Sequence, residues 1–375
     1  MRTLHIAATG PAQDLGGELP LAPSSSTGFY WVSCTRSEFA AQLPALQAML
    51  HRQCGMALVD LHVSDLLNAQ LPSNYDATSQ YDLLVFQRLA SAEGGDAAAV
   101  KAAAAAEAPA AAHGPPVLAR IVTRPVGMVV FDHLLLTVHP EACPLRAHFV
   151  QRLLSEQPTD TRGGQARRTS SPADLMLRLV NHMVDGYLEL RRELTRQLDH
   201  WQSALLEPKA RISNWSAILD ARLALHQLDE LCEDQRAAMQ EWIEALDAWP
   251  AEAMPQAQRE RELLKVRSRD VLEHIERVVH HVRRLEQSAE TAVQMHFSLQ
   301  SNRANDIMRT LTTITAVFLP LNLIAAVFGM NFEFIPLVHK QDGFWWAMAG
   351  MVVVSLVLIA YFWRKRYLEH IDRDI

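Results

Sequence analysis

Two long uncharged stretches lie near the end of the chain. One runs from Thr310 to Phe332, and the other runs from Phe344 to Trp363. As helices, both are long enough to cross a bilayer core, which takes about 20 apolar residues. The pattern predicts one membrane span at 310–331, an external loop at 332–343, a second span at 344–363 and a basic tail at 364–375.

A single long helix is predicted to lead into the first span. Apolar residues from Leu264 to Leu299 keep a nearly unbroken heptad spacing, and neither proline nor glycine interrupts the chain until Pro320. One helix therefore runs from near Gln256 to about Phe328, with a length above roughly 100 Å. Its part before the membrane, the predicted stalk at 256–310, needs partner helices to cover its apolar seam.

Two further amphipathic helices precede the stalk. Ser171-Pro172-Ala173-Asp174 is typical of a helix start, with a capping serine, a proline in the first turn and an acid at the positive end. Apolar residues then recur every three or four positions as far as Pro208. A similar pattern extends from Ser213 to Pro250. The two helices are predicted to form an antiparallel hairpin at 171–250.

Residues 1–160 are predicted to form a cytosolic α/β domain. Ser37–His51 has helical spacing, and strands rich in aromatic and β-branched residues surround it. Pro125 and the break at 131–133 are expected to interrupt the last strands. An alanine-rich insertion at 91–116 has almost nothing large to bury. The fold class is therefore α+β, with a membrane hairpin. The predicted strands are 29–34, 82–89, 117–123 and the 126–138 region.

Charge and cysteine usage exclude several classes of protein. The net charge is −7, which argues against a nucleic-acid partner, because such proteins show a basic face. The four cysteines form no CxxC pair, so neither a zinc cage nor a disulfide framework is indicated. The N-terminus lacks the apolar core of a signal peptide, so the body is expected to stay on the synthesis side of the membrane.

The basic residues around the spans predict their orientation. Arg303 and Arg309 precede the first span, and Arg364-Lys365-Arg366 follows the second. The positive-inside rule places both termini in the cytoplasm and the loop outside. We therefore expect a multi-pass protein of the inner (plasma) membrane, in contact with membrane lipid.

One face of the first span is unusually polar. Amides and hydroxyls are scarce in lipid-facing positions, because lipid cannot satisfy their hydrogen bonds. The stripe alone fits interhelical packing and pore lining about equally. Val317, Phe318, Leu321, Ile324 and Phe328 lie on other faces. The stripe consists of Asn305, Met308, Thr312, Thr315, Leu319, Asn322 and Ala326.

The end of the first span carries a recognisable triplet, Gly329-Met330-Asn331, continued by Phe332-Glu333. A C-terminal pair of spans, the first ending in Gly-Met-Asn, resembles the CorA family of magnesium and cobalt transporters. The resemblance extends back to about Pro255 and becomes vague before that. The position of the triplet at the outer end of the first of two spans makes coincidence unconvincing.

The resemblance implies a homopentameric channel for passive Mg²⁺ influx, with Co²⁺ and Ni²⁺ as further ions. The triplet would form the selectivity filter, and Asn305, Met308 and Leu311 match pore positions of the family. Asn322 departs from the threonine usual near that position. The outer-mouth acid would be Glu333, because the loop lacks the glutamate that follows the filter in many relatives.

A regulatory site is also implied. Arg269-Asp270-Val271-Leu272-Glu273-His274 resembles the family's stalk motif, in which the acid matching Asp270 helps to bind a divalent ion between subunits. Without the resemblance, Asp270 is more simply an exposed heptad flank. No cofactor is expected other than Mg²⁺ itself, as the transported and regulatory ion.

Two alternatives stay open. A ZntB-type zinc transporter shares the architecture, although such relatives usually carry a β-branched residue at the position of Met330. A membrane-anchored coiled-coil scaffold or sensor would use the hairpin only as an anchor and would conduct no ions. The chain has no phosphate-binding GxxxxGK[ST] motif and no Ser-His-Asp order, so an enzyme has little support.

Overall fold

The computed structural model describes residues 1–7, 11–20, 28–90, 121–141, 143–155, 169–205, 215–249, 254–330 and 342–365. The chain divides into two compact units, Met1–Thr291 and Ala292–Ile375. The fold is α+β, with an N-terminal sheet domain, a long helix and a C-terminal helix. The division falls within the predicted stalk at 256–310, and the predicted domain boundaries stay predictions.

The first unit contains a seven-stranded mixed sheet. Its order is β2-β1-β3-β7-β6-β5-β4, and only the β3 and β7 pair is parallel. The strands are β1 (Arg2–Ala7), β2 (Gln13–Gly16), β3 (Gly28–Thr35), β4 (Asn74–Ala77), β5 (Asp82–Leu89), β6 (Thr123–Val130) and β7 (Leu134–His139).

Alternation along the central strands builds two cores. Trp31 and Leu135 face one side of the sheet, and Val32 and Leu136 face the other. The second side is covered by α1 (Arg36–Cys54) and α2 (Asp60–Leu67). Thr35 caps α1 in a reciprocal capping box with Glu38, which fixes where the strand becomes helix.

The first side of the sheet is covered by the remaining helices of this unit. They are α3 (Pro144–Ser155), α4 (Pro172–Leu205), α5 (Trp215–Ala248) and the first part of α6 (Pro255–Phe328), up to Thr291. Their apolar faces join the sheet in one continuous core that extends from Leu4 to Ala289. The predicted seam of α6 is therefore covered within its own chain over this part.

Polar contacts fix these helices at defined positions. The backbone carbonyl of Gln87 on β5 accepts hydrogen bonds from the Tyr187 hydroxyl (3.0 Å) and from Nε2 of Gln235 (2.9 Å). Trp242 Nε1 donates to Ser268 Oγ at 2.9 Å. Because these side chains are buried, leaving any of them unpaired would cost about 1–3 kcal/mol.

The second unit contains the rest of α6 and α7 (Gly343–Arg364). Both helices are long and apolar enough to cross a membrane. Their most apolar 18-residue windows are only 11% and 6% buried. Their side chains therefore find little cover within one copy of the chain.

Several expectations need correction or lie outside the described residues. Pro125 does not interrupt β6, which runs through it and pairs it with Gln87. At that point β6 has a neighbour on one side only, because its pairing with β7 begins at Gly127. The predicted strand at 117–123 starts only at Thr123, and its residues 117–120 are not described. The insertion at 91–116 also lies outside the described residues.

Candidate functional site

The predicted polar stripe lies on an uncovered face of α6 within one copy of the chain. Met308 and Leu319 of the stripe are 61% and 64% exposed, and Leu311, the further predicted pore position, is 57% exposed. The hydroxyls of Thr312 and Thr315 donate to backbone carbonyls four residues earlier, at 2.7 and 2.8 Å. Each hydroxyl oxygen keeps acceptor capacity on the exposed face. The other stripe residues, Asn305, Asn322 and Ala326, are exposed as well.

The opposite face of the same helix segment is covered. Thr313 is buried, and its hydroxyl donates to the Arg309 carbonyl at 2.9 Å. At about 100° per residue, this face lies roughly opposite the stripe. Four of the five apolar residues predicted to face away from the stripe are half-buried, whereas Phe318 is 58% exposed. The half-buried four are Val317, Leu321, Ile324 and Phe328.

A matching half-buried line follows α7. It includes Ala347, Met351, Leu358 and Phe362, spaced mostly at three or four residues. We infer from these two lines that α6 and α7 cover one another on one face each. The described residues leave the polar stripe uncovered.

The helix ends at the first residues of the predicted filter. The Gly329 N–H donates to the Ala325 carbonyl at 2.9 Å, and the Met330 N–H reaches the Val327 carbonyl at 3.4 Å. A Cβ on Gly329 would lie 3.2 Å from the Ala325 carbonyl oxygen, which is tight. Glycine thus permits a close approach here. Asn331 and the outer-mouth acid Glu333 lie outside the described residues.

Asp270 lies at the edge of a polar cleft. Its side chain is 61% exposed, and its Oδ1 is 3.9 Å from His274 Nε2. The cleft has a volume of about 290 Å³, is lined by residues of α3, α4 and α6, and includes Asn181 and Asp185. Oδ1 of Asn181 is buried without a hydrogen-bond partner in the described part of the chain. Asp270 therefore lines the same cleft as two oxygen-bearing side chains of α4.

A stacked histidine pair lies beside this cleft. The rings of His148 and His182 are 4.9 Å apart and nearly parallel. Burial lowers the pKa of His182, and the neighbouring His148 lowers it further. Within the described ranges, no group of three or more His, Cys, Asp or Glu side chains is arranged to hold a metal ion.

The sequence alone did not single out Asp185 and Asn181. They lie four residues apart and thus on one face of α4. This spacing is the sequence signal that could have identified them. Their proximity to Asp270 depends on how α4 packs against α6. Two acids of the run Asp229, Glu230, Glu233 and Asp234 are structural, because Asp229 and Glu233 both pair with Arg283 of α6.

Comparison with known proteins adds an independent line of evidence. A family model described as CorA-like Mg²⁺ transporter protein matches residues 111–366. The cobalt/magnesium transport protein CorA of Thermotoga maritima is 25% identical over 194 residues, which cover 52% of each chain. The putative metal ion transporter YfjQ of Bacillus subtilis is 39% identical over 70 residues, which cover 19% of this chain and 22% of that protein. The matches thus span about half or less of these relatives.

The fold also matches a solved structure over nearly its full length. The complete structure of the CorA magnesium transporter from Methanocaldococcus jannaschii aligns with a TM-score of 0.68 and 16% identity. The alignment covers 97% of this chain and 98% of that one. A likeness at this identity shows a shared fold.

Proposed function

Because the chain belongs to the CorA-like Mg²⁺ transporter protein family, whose model matches residues 111–366, we propose that it is one subunit of a divalent cation channel. Several copies would surround a water-filled path lined by the polar stripe of α6. The path would carry Mg²⁺, with Co²⁺ and Ni²⁺ as further ions. The family resemblance favours a homopentamer, set in the inner membrane with both termini cytoplasmic.

The exposed polar stripe carries this proposal. Amides and hydroxyls that face lipid would lack hydrogen-bond partners, so polar residues of membrane helices face water or protein. The face opposite the stripe is already covered within the chain, which leaves the stripe for neighbouring copies or for water. A ring of copies with their stripes inward satisfies both the polar residues and the apolar faces. Met308 and Leu319 would then form apolar constrictions, which gate by dewetting.

The filter proposal rests on the chemistry of the hydrated ion. Mg²⁺ loses its water reluctantly and keeps octahedral oxygen coordination. A ring of Asn331 amides, with the carbonyls near Gly329 and Met330, would hold the ion through its waters without trapping it. Glu333 would attract cations to the outer mouth. Entry of a divalent ion is favoured by about 4.6 kcal/mol per 100 mV, inside negative, so no ATP is required.

Uptake of Mg²⁺ into proteoliposomes tests the channel and its filter together. We expect wild-type protein to admit Mg²⁺ down its gradient, and Asn331→Ala to reduce uptake to the level of empty liposomes. Asn302→Ala is the matched control, because Asn302 is exposed on α6 but lies off the stripe. Uptake of Zn²⁺ in preference to Mg²⁺ would favour the zinc alternative. Absence of any flux would favour the scaffold.

Cysteine accessibility tests the stripe itself. In a background without the four native cysteines, Thr315→Cys should react with a charged thiol reagent from the aqueous side and lose Mg²⁺ uptake. Ile314→Cys is one residue away at the same depth on a different face, and it should stay unmodified. Equal reaction at both positions would rule out a water-lined stripe.

Regulation by the transported ion is a second part of the proposal. Asp270 and Asp185 line one cleft, and carboxylates are preferred ligands of Mg²⁺. A cytosolic Mg²⁺ ion bound there, completed by a neighbouring copy, would hold the channel closed. Asp270→Ala should relieve inhibition of uptake by internal Mg²⁺. Unchanged inhibition would remove Asp270 from this role.

A further inference from the structure

The strand register gathers basic side chains at one end of the sheet. β3 and β7 both end there, where Thr35 is paired with His139. Arg2 on β1 is paired with Ser33, and Arg124 on β6 is paired with Arg88 on β5. Because paired and alternate residues share a face, these side chains lie on the face that is covered by α3 and α4.

A cleft opens at this end of the sheet, between the strands and α3. It has a volume of about 290 Å³ and lies within the first compact unit. Arg36 approaches it from the first turn of α1, because its Nη2 donates to the Pro125 carbonyl. The carboxyl ends of parallel strands are a recurrent location of ligand sites. The lining residues used below are Arg2, Thr35, Glu141, Arg146 and Ala147.

Nearby carboxylates balance part of the positive charge. Glu141 itself lines the cleft, and its Oε1 accepts a hydrogen bond from the Ser37 N–H at 3.1 Å. Asp14 pairs with Arg2, at 2.6 Å from Nη2. Glu38 pairs with the Met1 ammonium group and lies 3.3 Å from Arg146 Nη1. Apart from this contact, the Arg146 guanidinium has no hydrogen-bond partner among the described residues.

Two further arginines each donate to a backbone carbonyl. Arg36 donates to the Pro125 carbonyl, and Arg88 Nη1 donates to the Leu89 carbonyl at 2.8 Å. Burial lowers the pKa of the Arg36 guanidinium and the adjacent Arg124 lowers it further, whereas the Glu141 carboxylate opposes this shift. A nearby anion would therefore stabilise this end of the sheet.

A buried histidine lies at the same end. His139 is 0% exposed, and its Nε2 is 2.8 Å from Thr137 Oγ1. That hydroxyl oxygen also accepts from Trp31 Nε1 at 2.9 Å. His139 Nδ1 has no hydrogen-bond partner in the described part of the chain. An unpaired buried polar atom beside several cations is unusual in a site that serves structure alone.

We propose that this cleft binds a phosphate group, carried by inorganic phosphate or by a nucleotide. Arginine presents paired N–H donors that match the oxygens of a phosphate, and Arg146 has donors to spare. Arg2 lies across the cleft from Arg146, and Arg36 and Arg124 supply the surrounding positive potential. Thr35 adds a polar side chain to the lining of the cleft. The site lies apart from the residues proposed to conduct or to sense Mg²⁺.

Binding to the purified full-length protein tests the proposal by calorimetry in buffer free of divalent cations. The probes are inorganic phosphate, AMP and adenosine. Ala147 is exposed on α3 and lines the cleft, so Ala147→Glu adds a carboxylate there, and Ala147→Gln adds the same bulk without charge. We expect Ala147→Glu to weaken phosphate binding about tenfold or more, and Ala147→Gln to stay within about twofold of wild type.

A second pair of variants locates the site independently. Arg146→Gln should weaken binding about tenfold, whereas Arg152→Gln on the same helix should leave it unchanged. Tighter binding of AMP than of phosphate would identify a nucleotide as the source, and equal binding would identify free phosphate. Binding of adenosine as tight as AMP, no binding of phosphate or AMP at millimolar concentration, or equal binding by the Glu and Gln variants would each overturn the proposal.

Discussion

The two compact units differ in where their large side chains find cover. In Met1–Thr291, Trp31 and Trp242 are completely buried, and the charged side chain of Asp174 is buried among arginines. In Ala292–Ile375, Trp345 and Trp346 are 71% and 68% exposed. The first unit buries these large side chains among its own residues. The second leaves its large aromatic side chains exposed within one copy of the chain.

Because of this difference in burial, we expect substitutions in the two units to change different properties of the protein. Substitutions in the first unit should act mainly on the stability of the folded chain. Substitutions on the exposed faces of the second unit should act mainly on assembly and on ion flux. The following substitutions test that division, and all are measured by chemical unfolding of the purified full-length protein.

Trp242→Ala should have the largest effect. Trp242 packs edge-on against Tyr75 and Trp249, at centroid distances of 6.0 and 5.9 Å, and its removal leaves a cavity and an unpaired Ser268 hydroxyl. We expect a loss of about 4 kcal/mol in the free energy of unfolding. Trp346→Ala, the matched variant in α7, should change it by less than about 0.5 kcal/mol. Similar losses in the free energy of unfolding for both variants would contradict the proposed difference between the two units.

Asp174→Asn should follow. One oxygen of Asp174 accepts from Arg178 Nε at 3.1 Å and from the Ser170 N–H at 3.2 Å, and the other pairs with Arg267. Removing the charge takes a buried carboxylate away from two partly buried guanidinium groups, at a cost of about 3 kcal/mol in the free energy of unfolding. Asp185→Asn, at an exposed position on the same helix, serves as control. A result for Asp174→Asn no larger than that of the control would contradict this assignment.

His139 should make the first unit sensitive to acid. Burial lowers the pKa of His139 from 6.5 to about 3, with Arg146, Arg88 and Arg36 contributing. The unfolded chain thus binds a proton that the folded chain does not, so stability falls as the pH decreases below about 6.5.

At pH 5 the resulting decrease in the free energy of unfolding amounts to about 2 kcal/mol. His139→Asn should lack this decrease between about pH 7.5 and pH 5. His133→Asn, in an exposed loop, should still show it. An unchanged pH dependence in His139→Asn would show that other groups cause it.

Thr313→Val should have the smallest effect, and it probes the second unit. Thr313 is 3% exposed, and its hydroxyl donates to the Arg309 carbonyl at 2.9 Å, so we expect a loss of about 1 kcal/mol. Thr315→Val should leave unfolding unchanged and instead reduce Mg²⁺ uptake. The reverse pattern would mean that the covered and open faces of α6 are exchanged in the assembly.

Local signals predicted the longest elements well. The helix expected at 256–328 is observed at Pro255–Phe328, because a heptad pattern without early proline or glycine leaves no other choice. The strand expected at 82–89 has the same bounds in the structure. Both segments carry their pattern over enough residues to outweigh competing preferences.

Elements that depend on distant partners were missed. β1 and β2 are short and mixed in polarity, and they become strands because β1 pairs with β3. The helices α2 and α3, of 8 and 12 residues, are too short for a convincing period. From sequence alone, Pro125 is expected to break a strand. The structure tolerates it because β6 pairs there with β5 and not with β7.

The candidate site likewise includes residues that local sequence patterns predict and residues that they do not. The polar stripe of α6 follows from helical periodicity, and its role as a pore lining stays a prediction. The grouping of Asp270 with Asp185 requires three helices that are distant in sequence. The basic end of the sheet likewise depends on strand register, which no local pattern encodes.

The Gln87 carbonyl, which accepts from both Tyr187 and Gln235, has a practical consequence. Two donors on one oxygen weaken the C=O stretch, so a ¹³C label at that carbonyl should absorb at unusually low frequency. Separation of α4 or α5 from β5 would shift that band upward. A single isotope could therefore report in real time whether the helices of the first unit separate from its sheet.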